Sequence, residues 1–455
     1  MDLMALVSRR LAMPLYEALK GTGTTRLYRE CVRTQHLAEK DLRERQLRAL
    51  QELLRFAWTH NRFYRTRYTE AGLHPEDVRT LEDFARLPLL TKDDLRANPD
   101  ALVSDPFDKS RLSHRRTGGS TGVPVHVYWS WDAIPLKDAL VRRHDEWAGF
   151  LPGERRAALW GDIKPPATLK ARLADAVFKR TIFLDTLKLD ERNMLEFAER
   201  IRATGTRLLF GHGHSLYFLA QFLKERGVRD VGLAGIISSS EMLPPEERRV
   251  VEEVFGRIVF DRYGSEEVGL IASECTEHDG LHVAAEGIHV EILGGAEAEP
   301  GRIVVTDLLN RGTPLIRYDI GDLATTKAGA CRCGRGLPRI GRVTGRTSDF
   351  LYTPEGKRIS GISILDTVTI HIPGFRQVQV VQERLDELTF NVVKDSSFSE
   401  LSLARLADAV SRYFGPAMRH RVAYVDTIPM TGRGKFQFSI CRVPDPGTRL
   451  HRSMR

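Results

Sequence analysis

Leu47, Leu50, Leu53, Leu54 and Ala57 recur at three- and four-residue intervals, the period of one helix face. Residues 1–75 read as helices, opening on an amphipathic stretch that Arg9 and Arg10 interrupt. From about 130 to 300 the pattern alternates. Helix-period stretches at 136–147, 194–203 and 215–225 are interleaved with short apolar runs at 157–160, 208–210, 233–238 and 258–261. Runs apolar at successive positions suit strands covered on both faces, so the alternation predicts an α/β fold. Thr91, followed by Asp93 and Asp94, predicts a helix N-cap. Turn glycines cluster at Gly334, Gly336, Gly341 and Gly345, and the pattern changes near 346–350. Beyond it, 377–382 and 387–393 alternate as a strand pair, 401–414 is helical, a last strand reaches Val425, and a loop follows at 429–435. The expected architecture is a large α/β domain over 1–346, with mixed sheets and helices, and a small mobile α+β domain over 347–455. No internal repeat is visible.

Composition narrows the partners. The 455 residues are 28% charged and 42% hydrophobic, as in soluble globular proteins. A net charge of +8 favours anionic ligands, such as a nucleotide or CoA, or a loose association with a membrane surface. Nucleic acid is disfavoured, because Lys and Arg are scattered and no aromatic-basic module accompanies them. No signal peptide precedes the five cysteines, and no apolar run approaches the roughly 18–20 residues of a membrane span. The expectation is a cytoplasmic protein with reduced thiols and no integral membrane segment.

Several stretches carry chemistry. Arg116-Thr117-Gly118-Gly119-Ser120-Thr121-Gly122-Val123-Pro124 offers backbone N–H groups and hydroxyls to an anion, since glycine lets the backbone approach closely. It equally suits the tip of a Gly/Ser hairpin. It is not a Walker loop, as no Gly-Lys-Ser/Thr follows. Asp261-Arg262-Tyr263-Gly264-Ser265-Glu266-Glu267 follows a strand, so it falls where α/β sheets place ligands, or it is a turn with two solvated glutamates. Ser238-Ser239-Ser240-Glu241 ends another strand and also reads as an N-cap before Pro244-Pro245. Asp322 closes Arg317-Tyr318-Asp319-Ile320-Gly321-Asp322; a carboxylate can accept both protons of a vicinal diol, or simply be solvated. Gly345-Arg346-Thr347-Ser348-Asp349 sits at the expected domain boundary, and Met430-Thr431-Gly432-Arg433-Gly434-Lys435-Phe436 reads alone as a basic turn.

In this order the stretches resemble the motifs of the adenylate-forming (acyl-CoA synthetase) superfamily over about 55–440. The phenylacetate-CoA ligase family is nearest, particularly its CapK-like capsular polysaccharide branch. Asn61-Arg62-Phe63-Tyr64-Arg65, Leu87-Pro88-Leu89-Leu90-Thr91-Lys92-Asp93-Asp94 and Gln377-Val378-Gln379-Val380-Val381-Gln382-Glu383 echo that branch. The resemblance implies that Thr117, Gly118, Gly119, Ser120, Thr121 and Gly122 hold phosphate, and that Ser240, Glu241, Tyr263 and Gly264 border the nucleotide, with Tyr263 on adenine. It further implies Glu267 on Mg²⁺, Asp322 on the ribose, Arg346 on ribose or phosphate, a hinge at Ser348, and Lys435 as the catalytic cation. Gly118, Val125, Glu266 and Ser348 depart from the usual motif residues.

The implied reaction is ATP-dependent adenylation of an aryl or acyl carboxylic acid, giving acyl-AMP and pyrophosphate, followed by acyl transfer to CoA. Alternatives are a non-CoA acceptor in polysaccharide biosynthesis, adenylyl transfer as in coenzyme F390 synthetases, or a binding protein with a dead nucleotide site. A homodimer is open. Trp160, Gly161, Phe210, His212 and His214 are candidates for the acyl pocket wall, although two His in such a turn are more often surface or helix-cap residues. Cys275, His282, Cys331 and Cys333 make a complete Cys₃His set for a structural zinc, with free loop thiols as the alternative. Relatives often carry such positions. Cys31 and Cys441 read as structural.

Overall fold

The computed structural model describes residues 2–116, 125–161, 168–186, 189–346, 350–360, 372–429 and 437–443. Two compact units divide the chain: Met1–Leu243, Arg248–Ile320 and Ala324–Val343 in the first, Pro244–Glu247, Gly321–Leu323 and Thr344–Arg455 in the second.

The first unit begins with helices. The longest, Glu39–His60, buries Leu42, Leu50, Leu53, Leu54 and Ala57, the face its period predicts. Thr91 caps Lys92–Ala97 in a capping box with Asp94, whose carboxylate accepts the Thr91 N–H at 2.8 Å. A hairpin follows, β1 (Ser113–Arg116) antiparallel to β2 (His126–Trp129), with Arg116 opposite His126. The Gly/Ser stretch that joins them lies outside the described residues.

Eleven strands form the main sheet: β3 (Arg156–Trp160), β4 (Thr181–Asp185), β5 (Leu208–His212), β6 (Gly235–Ser239), β7 (Val259–Ser265), β8 (Gly269–Glu274), β9 (Leu281–Val283), β10 (Ile288–Leu293), β11 (Gly301–Asp307), β12 (Tyr318–Thr326) and β13 (Arg339–Arg346). Their order is β10-β11-β12-β13-β9-β8-β7-β6-β5-β3-β4. From β4 to β7 neighbouring strands run parallel. That half carries the helices Glu191–Ala203, Gly213–Glu225 and Pro245–Phe255. Its core packs strand residues Leu159, Leu209, Ile236 and Val259 with Phe197, Leu216, Leu219 and Val254 of the helices. The other half contains antiparallel pairs, β7 with β8, β8 with β9, β9 with β13 and β10 with β11. It shares a core with the N-terminal helices through Leu50, Leu54, Tyr64, Ile303, Val305 and Tyr318. The apolar pattern predicts the parallel half, apart from β4, and does not anticipate the antiparallel half.

In the second unit β14 (Phe350–Tyr352) and β15 (Arg358–Ser360) form a hairpin. A four-stranded sheet is made of β16 (Phe375–Arg384), β17 (Glu387–Lys394), β18 (Arg419–Tyr424) and β19 (Ser439–Cys441), in the order β18-β17-β16-β19. Helix Glu400–Phe414 packs Leu406, Val410 and Phe414 with Val380, Leu388 and Phe390 of the strands.

Candidate active site and metal centre

Parallel strands all finish on the same edge. His212 ends β5, opposite Ser239 at the end of β6, which in turn lies opposite Arg262 on β7. Ser239 Oγ donates to the Arg262 carbonyl at 3.1 Å, tying the two turns together. Ser240 then takes φ 68°, a left-handed conformation uncommon for a residue with a Cβ. The turn sends Glu241 back to helix Gly213–Glu225, where its carboxylate accepts the His214 N–H at 3.2 Å. A carboxylate at a helix N-terminus is favoured by the helix dipole. Gly213 sits in a tight place, as a Cβ would lie 3.0 Å from the Met242 carbonyl and push it aside.

The turn after β7 is held from three directions. A Cβ on Gly264 would come within 2.7 Å of the Gly269 carbonyl, so the close crossing there needs glycine. Tyr263, beside it, is partly buried against the antiparallel core. Glu267 is buried; its Oε1 accepts the Tyr318 hydroxyl at 3.2 Å, and its carbonyl accepts the Trp129 indole N–H at 2.8 Å. Arg115, at the other side of the hairpin, lies 4.3 Å over the Trp129 ring and 3.9 Å from Glu266. The β1–β2 hairpin is therefore moored to the Glu266-Glu267 turn. Lys137 fastens the same turn: its ammonium donates to the Val268 carbonyl at 2.8 Å and pairs with buried Asp307 at 2.7 Å. Arg262 pairs with Asp145 at 2.7 Å, both almost fully buried. Sequence reasoning missed Lys137, Asp307 and Asp145; a lysine and an aspartate inside apolar helix and strand patterns were the available signal.

Asp322 is buried on β12, four residues beyond Tyr318, and Arg346 is the last residue of β13. Thr117, Gly118, Gly119, Ser120, Thr121, Gly122, Ser348 and Lys435 lie outside the described residues. At the ends of β3 and β5, the Trp160 ring stacks on Phe210 at 5.2 Å and 15° and meets His212 at 4.1 Å. His212 and His214 are both buried, which corrects their reading as surface residues. His212 does occupy the N-cap position of its helix, but its side chain makes no capping bond.

A second cluster lies in the antiparallel half. The ligand atoms of Cys275, His282, Cys331 and Cys333 all fall within 4.8 Å of one another. Cys275 Sγ is 3.8 Å from Cys331 Sγ, and Cys333 Sγ is 3.3 Å from His282 Nε2. Two sulfurs each about 2.3 Å from one tetrahedral zinc stand about 3.8 Å apart, so the thiol spacing fits that metal. His282 Nδ1 donates to the Leu337 carbonyl at 3.2 Å, which turns Nε2 towards the thiols. Burial pushes the His282 imidazole down to about 4, leaving it neutral and able to ligate. Burial also pushes Cys275 up to about 12. Burial opposes ionisation of Cys333 as well, but bonds from Arg335 and the neighbouring thiols hold it below the usual thiol range.

The C-terminal domain family of CapK matches residues 351–442. Phenylacetate-coenzyme A ligase of Thermus thermophilus is 28% identical over 410 residues, covering 85% of this chain and 90% of its own length. Protein CapK of Staphylococcus aureus is 23% identical over 435 residues, 93% of this chain and 94% of its own. Among solved structures, 2-hydroxyisobutyryl-CoA ligase in the postadenylation state superposes with a TM-score of 0.72 at 21% identity, over 92% of this chain and 94% of that one. The fold is that of the adenylate-forming ligases. Among proteins with that fold, the chain is similar along most of its length to phenylacetate-coenzyme A ligases and to Protein CapK, and its C-terminal part matches the CapK C-terminal domain.

Proposed function

We propose that the protein is an ATP-dependent acid–thiol ligase of the AMP-forming type. The carboxylate oxygen of the acid attacks the α-phosphorus of ATP, the bond to the bridging oxygen breaks, and pyrophosphate leaves. The thiol of CoA then attacks the acyl carbon and expels AMP. The observation that carries this reading is the mooring of the β1–β2 hairpin, through Trp129 and Arg115, to the turn of Glu266 and Glu267. A backbone rich in N–H groups would meet phosphate there, beside a carboxylate held by Tyr318. Among the relatives, those named phenylacetate-coenzyme A ligase support the same reaction.

Glu267 would hold Mg²⁺, a hard cation suited to one carboxylate and phosphate oxygens. That ion would neutralise charge on the triphosphate as pyrophosphate departs. Tyr263 would pack on adenine, Asp322 would accept from the ribose hydroxyls, Arg346 would reach ribose or phosphate, and Lys435 would stabilise the negative charge that develops at the α-phosphate. The Trp160–Phe210 stack supports an aromatic acid as substrate. Cys275, His282, Cys331 and Cys333 would bind a structural zinc, since four protein ligands leave no open position.

Carboxylate-dependent ATP–pyrophosphate exchange across aryl and aliphatic acids tests the proposal. One acid class should stimulate exchange, Lys435→Ala should lower it by about 10²–10³, and CoA should turn the product into a thioester. Exchange without a thioester would favour a non-CoA acceptor. ATP binding without exchange for any acid would overturn the ligase reading.

A further inference from the structure

The helical segment over residues 3–20 faces the wrong way for an ordinary surface helix. It runs from Leu3–Val7 through a π-type stretch, Ser8–Ala12, into Met13–Lys20. Ala5, Ser8 and Glu17 are turned inward, with Met13 buried beside them. Asp2 caps the segment by accepting the Ala5 N–H at 3.0 Å and pairs with Arg180 at 2.8 Å. Ser8 Oγ donates to the Val177 carbonyl at 2.8 Å, and Ala5 packs so closely on Gly153 that a Cβ there would lie 2.7 Å from its carbonyl. Glu17 accepts the Thr25 N–H at 2.6 Å and pairs with Arg142 at 3.0 Å.

Most of the large apolar side chains are left outside. Leu3 is 71% exposed, Leu11 66%, Leu15 64% and Leu19 78%, with Met4 and Val7 also open. A four-residue spacing drifts about 40° per step around a regular α-helix. The wider π-type turn takes back part of that drift, so the stripe stays together. Tyr16 extends it, its ring 5.0 Å from that of Phe178. An apolar face of this kind on a soluble protein marks a contact surface.

Charge selects the partner. Both acids of residues 2–20, Asp2 and Glu17, are engaged with arginines of the body. The segment's three bases are not matched by free acids of its own: Arg10 and Lys20 are exposed and Arg9 is half-buried, in a chain of net charge +8. We infer that this segment is an interfacial helix that adsorbs the protein onto an anionic lipid surface, with the leucines in the acyl boundary and the bases at the headgroups. A second copy of this basic chain would bring the same cations together, which disfavours self-association through the face.

Vesicle co-sedimentation tests the inference, with phosphatidylcholine alone against phosphatidylcholine mixed with phosphatidylglycerol. The wild type should sediment with the anionic vesicles only and be released by high salt. Leu11→Gln/Leu15→Gln/Leu19→Gln should weaken partition at least tenfold. Arg9→Gln/Arg10→Gln/Lys20→Gln, which keeps every leucine of the stripe, should weaken it on the order of 100-fold, at about fivefold per charge. Thermal melts check that both variants fold. Failure of the wild type to bind anionic vesicles would overturn the inference, as would equal binding to both vesicle types. So would a wild-type dimer in sedimentation equilibrium that the leucine variant splits while vesicles capture neither form.

Discussion

In the proposed reaction, Glu267 is the described side chain asked to do the most. Glu267→Gln keeps the bond from Tyr318 and removes the charge, so exchange should fall by about 10²–10³ while the melting temperature changes little. Equal loss of exchange and of folded protein would count against a cation-binding role. The residue type at 267 was legible in the sequence. Its setting was not, because Tyr318 lies 51 positions away and Trp129 138, and no local pattern links them. His289 offers a separate test. Burial, and then the charges of Arg317 and Arg43, push its imidazole down to about 4 from 6.5. Between those values the unfolded chain takes a proton that the folded chain refuses. Its contribution to stability is therefore complete above pH 6.5 and is lost as pH falls toward 4, by up to about 3 kcal/mol. Urea unfolding of the wild type and His289→Gln across that range should show a shallower slope for the variant.

Among elements, legibility followed how local the cause was. The Thr91–Asp94 box and the burial of Leu50, Leu53 and Leu54 depend on neighbours along one helix, and the sequence showed both. Strand β4 is only five residues, Thr181–Asp185, and its alternating burial gives too short a signal to separate from a loop. Antiparallel strands such as β10, with Ile288 buried and the following positions half-exposed, carry a mixed pattern that pairing alone resolves. The Cys/His cluster draws on segments up to 58 residues apart, yet its ligand types made it readable as a set. Metal analysis should find about one zinc per chain. Cys331→Ser should abolish it and lower the melting temperature; a chelator should do the same to the wild type, with no effect on Cys331→Ser. The cluster also shares a small core with Leu37, Leu42 and Trp147, so loss of metal should loosen the contact of the N-terminal helices with the antiparallel strands.

At the scale of the whole chain, two units with separate cores should unfold in separable steps. Phe390→Ala should cost the C-terminal unit about 3–5 kcal/mol and leave the transition of the larger unit in place, as followed by calorimetry. The outward stripe at residues 3–20 was visible as amphipathic, but the sequence did not tell which face turns in. That choice belongs to Gly153, Val177 and Arg180, far along the chain.

Trp129 gives the molecule an optical reporter of its own. Its indole N–H is spent on the backbone of Glu267, and two cations, Arg115 and Lys137, stand within 4.5 Å of its ring centre. Indole emission responds to the field and polarity around the ring. With Trp58, Trp131, Trp147 and Trp160 changed to phenylalanine, the remaining fluorescence would record the arrival of the proposed nucleotide in real time, without a label and before any bond is made.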